Sequence, residues 1–216
     1  MKDLTVMDQE IQNIIDRITK IEHGFRPIES EAFNLVQPRS VDECRNLAEK
    51  LFKSKQYQVR CLAVFILGYI AANDPFALAI LKVKVSCDPN WRVQEILAKA
   101  FDQYCKDVGY KSAMPAIIEW LKDAHPNVCR AVTEGLRIWT NRPYFSSNPD
   151  IAIQFIAQHK ASDSEYLRKS VGNALRDISK KHPELIRNEI SSWDISDSRI
   201  HFTYKLVMKN QKRTEI

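Results

Sequence analysis

Trp91 and Glu95 stand four residues apart in WRVQEILAKAF, a spacing that places indole and carboxylate on one face of a helix. An aromatic wall beside a carboxylate can hold a flat cationic group by stacking and charge, and it can stabilise positive charge developing on a sugar. The alternative for Trp91 is packing against the preceding turn. A second tryptophan, Trp139, follows Glu134 on a later helical stretch. Basic residues recur beside them: Arg60, Arg130, Arg168 and Lys169 near helix starts, then Lys99, Arg137 and Arg176 further along, interleaved with Asn173 and Asp177. Arg137 and Arg176 share one position of a repeating unit, and cations stacked in a ridge can meet the phosphates of a duplex. The competing reading is a solvated face whose cations pair with nearby carboxylates.

These residues need helices to position them, and the chain supplies little else. Apolar residues recur at three and four. Ile11, Ile14, Ile15, Ile18 and Ile21 fit a first helix; Val41, Cys44, Leu47, Ala48 and Leu51 fit a second, with Ser40 and Glu43 forming a capping box. Residues 57–72 are almost continuously apolar and long enough for a buried helix. Further helices are expected from Pro75 to about Val85, then at 91–105, 112–122, 127–139, 150–159, 164–180, 183–190 and 197–208, with a loop insertion at 141–149. Four helices align on one another: 57–70, 91–104, 126–139 and 165–178. Their third positions, Val59, Val93, Val128 and Leu167, are separated by 34, 35 and 39 residues. A helix pair repeating at this period buries its apolar face only by stacking on its neighbours, so the expected fold is an all-α, HEAT-like α-α superhelix, a solenoid. One such domain spans 1–216, with a frayed tail at 210–216. An irregular helical bundle is the alternative. In a solenoid the second helix of each pair lines the concave surface, which is where the residues above fall.

Composition narrows the chemistry by exclusion. The 216 residues carry 32 Lys+Arg and 27 Asp+Glu, a formal charge of +5, modest for a nucleic-acid-binding protein. No apolar run approaches the ~20 residues that cross a bilayer, and the polar start is unlike a signal peptide; the expected location is cytoplasmic. Five cysteines (Cys44, Cys61, Cys87, Cys105, Cys129) without a CxxC argue for reduced thiols, not a disulfide scaffold or zinc knuckle. The histidines His23, His125, His159, His182 and His201 show no ligand spacing. No metal or organic cofactor is expected.

WRVQEILAKAF, HPNVCRAVTEGLRIWTNRPYF and EYLRKSVGNALRDISKKHPELI resemble segments of the bacterial DNA alkylation repair glycosylases, the HEAT-like superfamily that contains the AlkD and AlkC groups. The resemblance covers roughly residues 40–208. It implies hydrolysis of the N-glycosidic bond of cationic alkylated bases such as 3-methyladenine and 7-methylguanine in double-stranded DNA, without sequence-specific contacts and without a cofactor. A base alkylated on its ring nitrogen is already a good leaving group, so a fixed negative charge beside C1′ and an oriented water would suffice. Trp91 and Glu95 match the aromatic–acid pair, where the AlkD group has Asp. Glu95 is thus the first candidate for the catalytic carboxylate; Glu134 and Asp177, which sit where the AlkC pattern also has acids, are second and third. Trp91 and Trp139 would lie against backbone sugars. Arg130 matches a residue that grips phosphate beside the lesion, Arg176 matches another, and Lys99, Arg137, Arg168 and Lys169 would extend the basic surface. Asn173 falls where the AlkD pattern has a second tryptophan, a departure that bears on activity or on how a lesion is held.

Two rivals follow from the same residues: a catalytically silent relative that binds distorted or branched DNA, and a HEAT-like scaffold that captures a protein. A monomer is expected in each case. The Trp193–Asp194 region either closes the end of a groove or caps the last helix pair.

Overall fold

The apolar run beginning at Tyr57 has no polar face to offer water, and in the computed structural model it becomes the helix around which its neighbours pack. Residues 2–209 are described, with side chains from residue 9 onward; the expected frayed tail at 210–216 lies outside them. The chain forms two compact units that divide between Val108 and Gly109. The first contains α1 (Lys2–Ile18), α2 (Arg26–Val36), α3 (Val41–Leu51), α4 (Tyr57–Ile70), α5 (Pro75–Val83), a single 3-10 turn (Val85–Cys87) and α6 (Trp91–Val108). The second contains α7 (Met114–Leu121), α8 (Pro126–Trp139), α9 (Pro143–Ser147), α10 (Pro149–Ala157), α11 (Glu165–Ser179), α12 (Pro183–Ser191) and α13 (Ser198–Met208). Every regular element among the described residues is helical, and none of these helices is long and apolar enough to cross a membrane. The pairing is that of a HEAT-like helical repeat: α3 packs on α4, α5 on α6, α7 on α8 and α10 on α11.

In the first unit α4 is surrounded by α2, α3, α5 and α6. Gly68 is why α4 and α6 come so close: a Cβ there would stand 2.8 Å from the Ala100 Cα, so the two backbones touch where any side chain would part them. In the second unit α11 holds the same place, packed by α8, α10, α12 and α13. The capping box forms as expected, Ser40 Oγ accepting from Glu43 N at 3.3 Å and Glu43 accepting from Ser40 N at 2.8 Å.

Two differences from the sequence reading have physical causes. Helix α2 occupies residues to which periodicity assigned nothing. It buries only Ile28, Ala32 and Leu35, and its Phe25 cap makes no side-chain hydrogen bond. The expected loop at 141–149 holds the single turn α9, whose Phe145 is completely buried. Trp193 is a packing residue of the second unit: its indole N–H donates to Glu189 at 3.0 Å, Lys160 lies over its ring, and it is 5% exposed.

One repeat position has a job that the alignment did not reveal. The fourth residue of each inner helix donates to the carbonyl six residues upstream, in the turn before its own helix. Arg60 donates to Ser54 O at 3.0 Å, Gln94 to Asp88 O at 2.8 Å, and the Cys129 thiol to Asp123 O at 3.2 Å. Arg168 does the same to Ser162 O. A turn's carbonyls have no helix to satisfy them, and a side-chain donor reaching back supplies the missing partner.

Burial also sets one pH dependence. His159 lies in the turn after α10; its Nε2 is shut away with no partner among the described residues. Burial lowers its pKa from 6.5, and the hydrogen bond to the Leu121 backbone only partly opposes this. The folded state therefore keeps the ring neutral, and the stability this provides is full above about pH 6.5 and is lost as pH falls and the unfolded chain takes up the proton. Urea midpoints measured from pH 7.5 to 5.5 should drop more steeply for the wild type than for His159→Gln. Parallel profiles would show that another group governs the acid limb.

Candidate functional site

In the first unit the Asp88-Pro89-Asn90 turn launches α6. Asn90 N donates to Asp88 Oδ1 at 2.8 Å, and Asn90 Oδ1 accepts from Arg92 N at 2.9 Å, so the helix begins at Trp91 with its indole outward. Trp91 is 51% exposed. Glu95 sits one turn on, half-buried on the same face and already engaged by its surroundings. Lys99, a further turn along, is exposed and 3.9 Å from Glu29. The Arg92 guanidinium lies over the Trp91 ring at 4.6 Å and over the Tyr57 ring at 5.0 Å. The aromatic–acid stripe expected from the spacing is therefore present on α6, with an arginine stacked on its aromatic.

In the second unit α8 and α11 are laced together by a polar chain. Arg130 Nε donates to Ser170 Oγ at 3.2 Å, and Ser170 Oγ donates to Glu134 Oε1 at 2.7 Å. Arg137 Nη1 reaches Glu134 Oε2 at 3.4 Å and its Nη2 pairs with Asp177 Oδ2. Lys180 Nζ closes on Asp177 Oδ1 at 2.9 Å. Burial opposes charge on Asp177, but the Lys180 hydrogen bond and the Arg137 and Lys180 charges outweigh it and hold the carboxyl below its ordinary value. Glu134 and Asp177 are thus two ends of one Arg137 clamp, each with its side chain about one-fifth exposed.

Three of the expected ligand-contact residues have partners within the fold. Trp139 is fully buried, its ring stacked on Phe145 at 5.8 Å and tilted on Tyr110 at 5.2 Å, so it presents no face to a sugar. Arg130 is 6% exposed, its guanidinium lying 4.2 Å from the Tyr166 ring centroid; it ties helices together where a phosphate grip was expected. Arg168 serves its turn carbonyls and lies over the Phe202 ring. On the outward face of α11, Lys169 is exposed with Glu165 at 2.7 Å, while Asn173 and Arg176 are half-buried with no side-chain hydrogen bond or ion pair among the described residues. Sequence reasoning passed over Arg92, Ser170, Tyr166 and Lys180. Only Arg92 carried a local signal, its adjacency to an exposed tryptophan.

Comparison with known proteins adds four findings. The profile of a family described as DNA alkylation repair enzyme matches residues 25–191. The crystal structure of AlkD2 from Streptococcus mutans superposes with a TM-score of 0.90 and 48% identity, covering 94% of this chain and 98% of that one. The structure of smu.31 from Streptococcus mutans UA159 gives 0.84 and 47%, covering 92% and 98%. A curated protein of Bacillus subtilis, the uncharacterized YhaZ, is 33% identical over 81 residues; the match takes in 36% of this chain and spans only 23% of that protein.

Proposed function

The chain belongs to the family of DNA alkylation repair enzymes, and within that family we propose that it acts by binding duplex DNA, without an assembled set of base-releasing groups. The observation that carries this reading is the Arg137 clamp. Release of a cationic base is helped by a fixed, uncompensated negative charge beside C1′. Glu134 and Asp177 share one guanidinium, whose single charge offsets half of theirs, and Lys180 supplies a second positive charge beside Asp177. Asn173 adds no aromatic surface beside them, and Trp139 is in the core. Backbone contacts remain available from Lys99 on α6 and from Lys169 and Arg176 on α11. Such contacts orient a protein on a duplex without reading its sequence.

A second reading, alkylbase DNA glycosylase activity through Glu95, is favoured by one observation: Trp91 is half exposed one turn before that carboxylate, on the same face. A single assay separates the two. Duplex DNA methylated to carry 3-methyladenine and 7-methylguanine is incubated with the protein, free base is quantified, and binding is followed against salt. Binding should weaken with salt, with a log–log slope of about −2 to −3 for two or three phosphate contacts, while base appears at the spontaneous rate. Release that exceeds that rate and falls tenfold or more in Glu95→Ala, about 1.4 kcal/mol of transition-state stabilisation, would establish the glycosylase instead. No binding even at low salt would overturn both and leave the protein-binding scaffold.

A further inference from the structure

Arginines in this chain are mostly committed to internal partners. Arg45 is tied to Asp42 and Asp74, Arg60 to Asp88, Arg137 to Glu134 and Asp177, and Arg168 to turn carbonyls. Arg92 is different. Among the described residues its guanidinium makes no hydrogen bond or ion pair, only the ring contacts with Trp91 and Tyr57. Stacking holds the plane of the fork and leaves its N–H donors pointing along their own edge, the arrangement that suits bidentate capture of a phosphate. The two rings therefore fix a phosphate-binding group in orientation without using its donors.

The same contact changes what Trp91 can accept. A bare indole face attracts cations through its quadrupole. Here a guanidinium already lies 4.6 Å from that ring. A cationic base brought against the same indole would stand within roughly 8 Å of it. At an effective dielectric between those of protein surface and water, repulsion at that distance weakens binding several-fold. An uncharged base or sugar suffers no such penalty, and its own phosphate gains a partner.

We propose that Arg92 makes the Trp91 surface a site for a backbone phosphodiester and its adjoining uncharged nucleoside, and that it turns cationic alkylated bases away. This rests on the DNA-binding reading above, but its test does not depend wholly on it. Trp91 is half exposed whereas Trp120, Trp139 and Trp193 are buried, so quenching of the exposed indole reports on this site.

The experiment compares wild type, Arg92→Gln and Arg92→Lys with plain duplex, with duplex carrying 7-methylguanine, and with guanosine monophosphate. Wild type should bind plain duplex several-fold more tightly than the cationic one. Arg92→Gln should bring that ratio toward one and reduce the salt slope by about one phosphate contact. Arg92→Lys should keep the slope. An unchanged ratio and slope in Arg92→Gln would overturn the inference. If no duplex binds at all, the DNA-binding reading fails by itself. Quenching by guanosine monophosphate then decides the site: loss in Arg92→Gln supports it, and equal quenching in both proteins refutes it. Nucleotide binding as tight as duplex binding would assign the site to free nucleotide and overturn the backbone claim.

Discussion

Arg60→Ala should destabilise the first unit by about 3–5 kcal/mol, the range found when one partner of a buried ion pair is removed. The side chain is 14% exposed and its partner Asp88 only 3%. The guanidinium grips both Asp88 oxygens, at 2.7 and 3.1 Å, and donates to the Ser54 and Lys55 carbonyls at 3.0 Å each. Alanine leaves a buried carboxylate with the Asn90 amide but no counter-charge, and two turn carbonyls without their donor. The fork joins two inter-helix turns, the one before α4 and the one before α6, so the damage should extend to both. Urea unfolding of Arg60→Ala measures the loss. Arg60→Lys should fall between, because an ammonium keeps the charge but cannot fill four acceptors in one plane. The double variant Arg60→Ala/Asp88→Asn should regain part of the loss by removing the stranded charge. A loss below about 1 kcal/mol would show that the pair is a surface ion pair in effect.

Arg60 is one of three arginines whose surroundings periodicity does not reveal. Arg60, Arg130 and Arg168 all lie near helix starts, and from periodicity each reads as a basic residue facing outward. They differ by one repeat position: Arg60 and Arg168 are fourth residues, Arg130 a fifth. Position four points back over the preceding turn, which only becomes visible once that turn has a shape. Position five points toward the next helix pair, and whether it is exposed depends on what stands there. In the second unit Tyr166 and Ser170 stand there, so Arg130 disappears from the surface.

The helices themselves were legible because each inner copy carries an apolar stripe and is entered through a polar turn. Val59, Val93, Val128 and Leu167 are buried where the alignment put them. What escaped were elements with little apolar surface of their own. Helix α2 contributes three buried residues, and α9 is a single turn around one phenylalanine. In the candidate site the same division holds. The Trp91–Glu95 stripe follows from helical spacing alone, whereas the Arg137 clamp joins residues 40 positions apart (137 to 177) whose pairing requires α8 and α11 to be packed.

Trp139→Ala should destabilise the second unit by about 3–5 kcal/mol, the range for removing a buried tryptophan. The indole is fully buried and is one of the largest side chains in the core. It lies across its own helix at Gly135, where a Cβ would come within 2.4 Å of the ring, and it is enclosed by Tyr110 and Phe145. Those neighbours come from the stretch after Gly109 and from α9, so truncation opens a cavity where three separate segments meet. Trp139→Phe should cost less, since one ring still stacks on Phe145. The effect on ligand should be indirect: DNA binding should be lost only in proportion to the unfolded fraction, and cooling or mild osmolyte that restores folding should restore binding. A Trp139→Ala protein of wild-type urea midpoint that no longer binds duplex would return this residue to the contact surface. Glu134 precedes Trp139 on the same helix, with its carboxylate in the Arg137 clamp. Loosening the C-terminal turn of α8 should therefore also relax that clamp, and Trp139→Phe, folded but less rigid there, is the variant in which a freed Glu134 would first show itself as base release above the spontaneous rate.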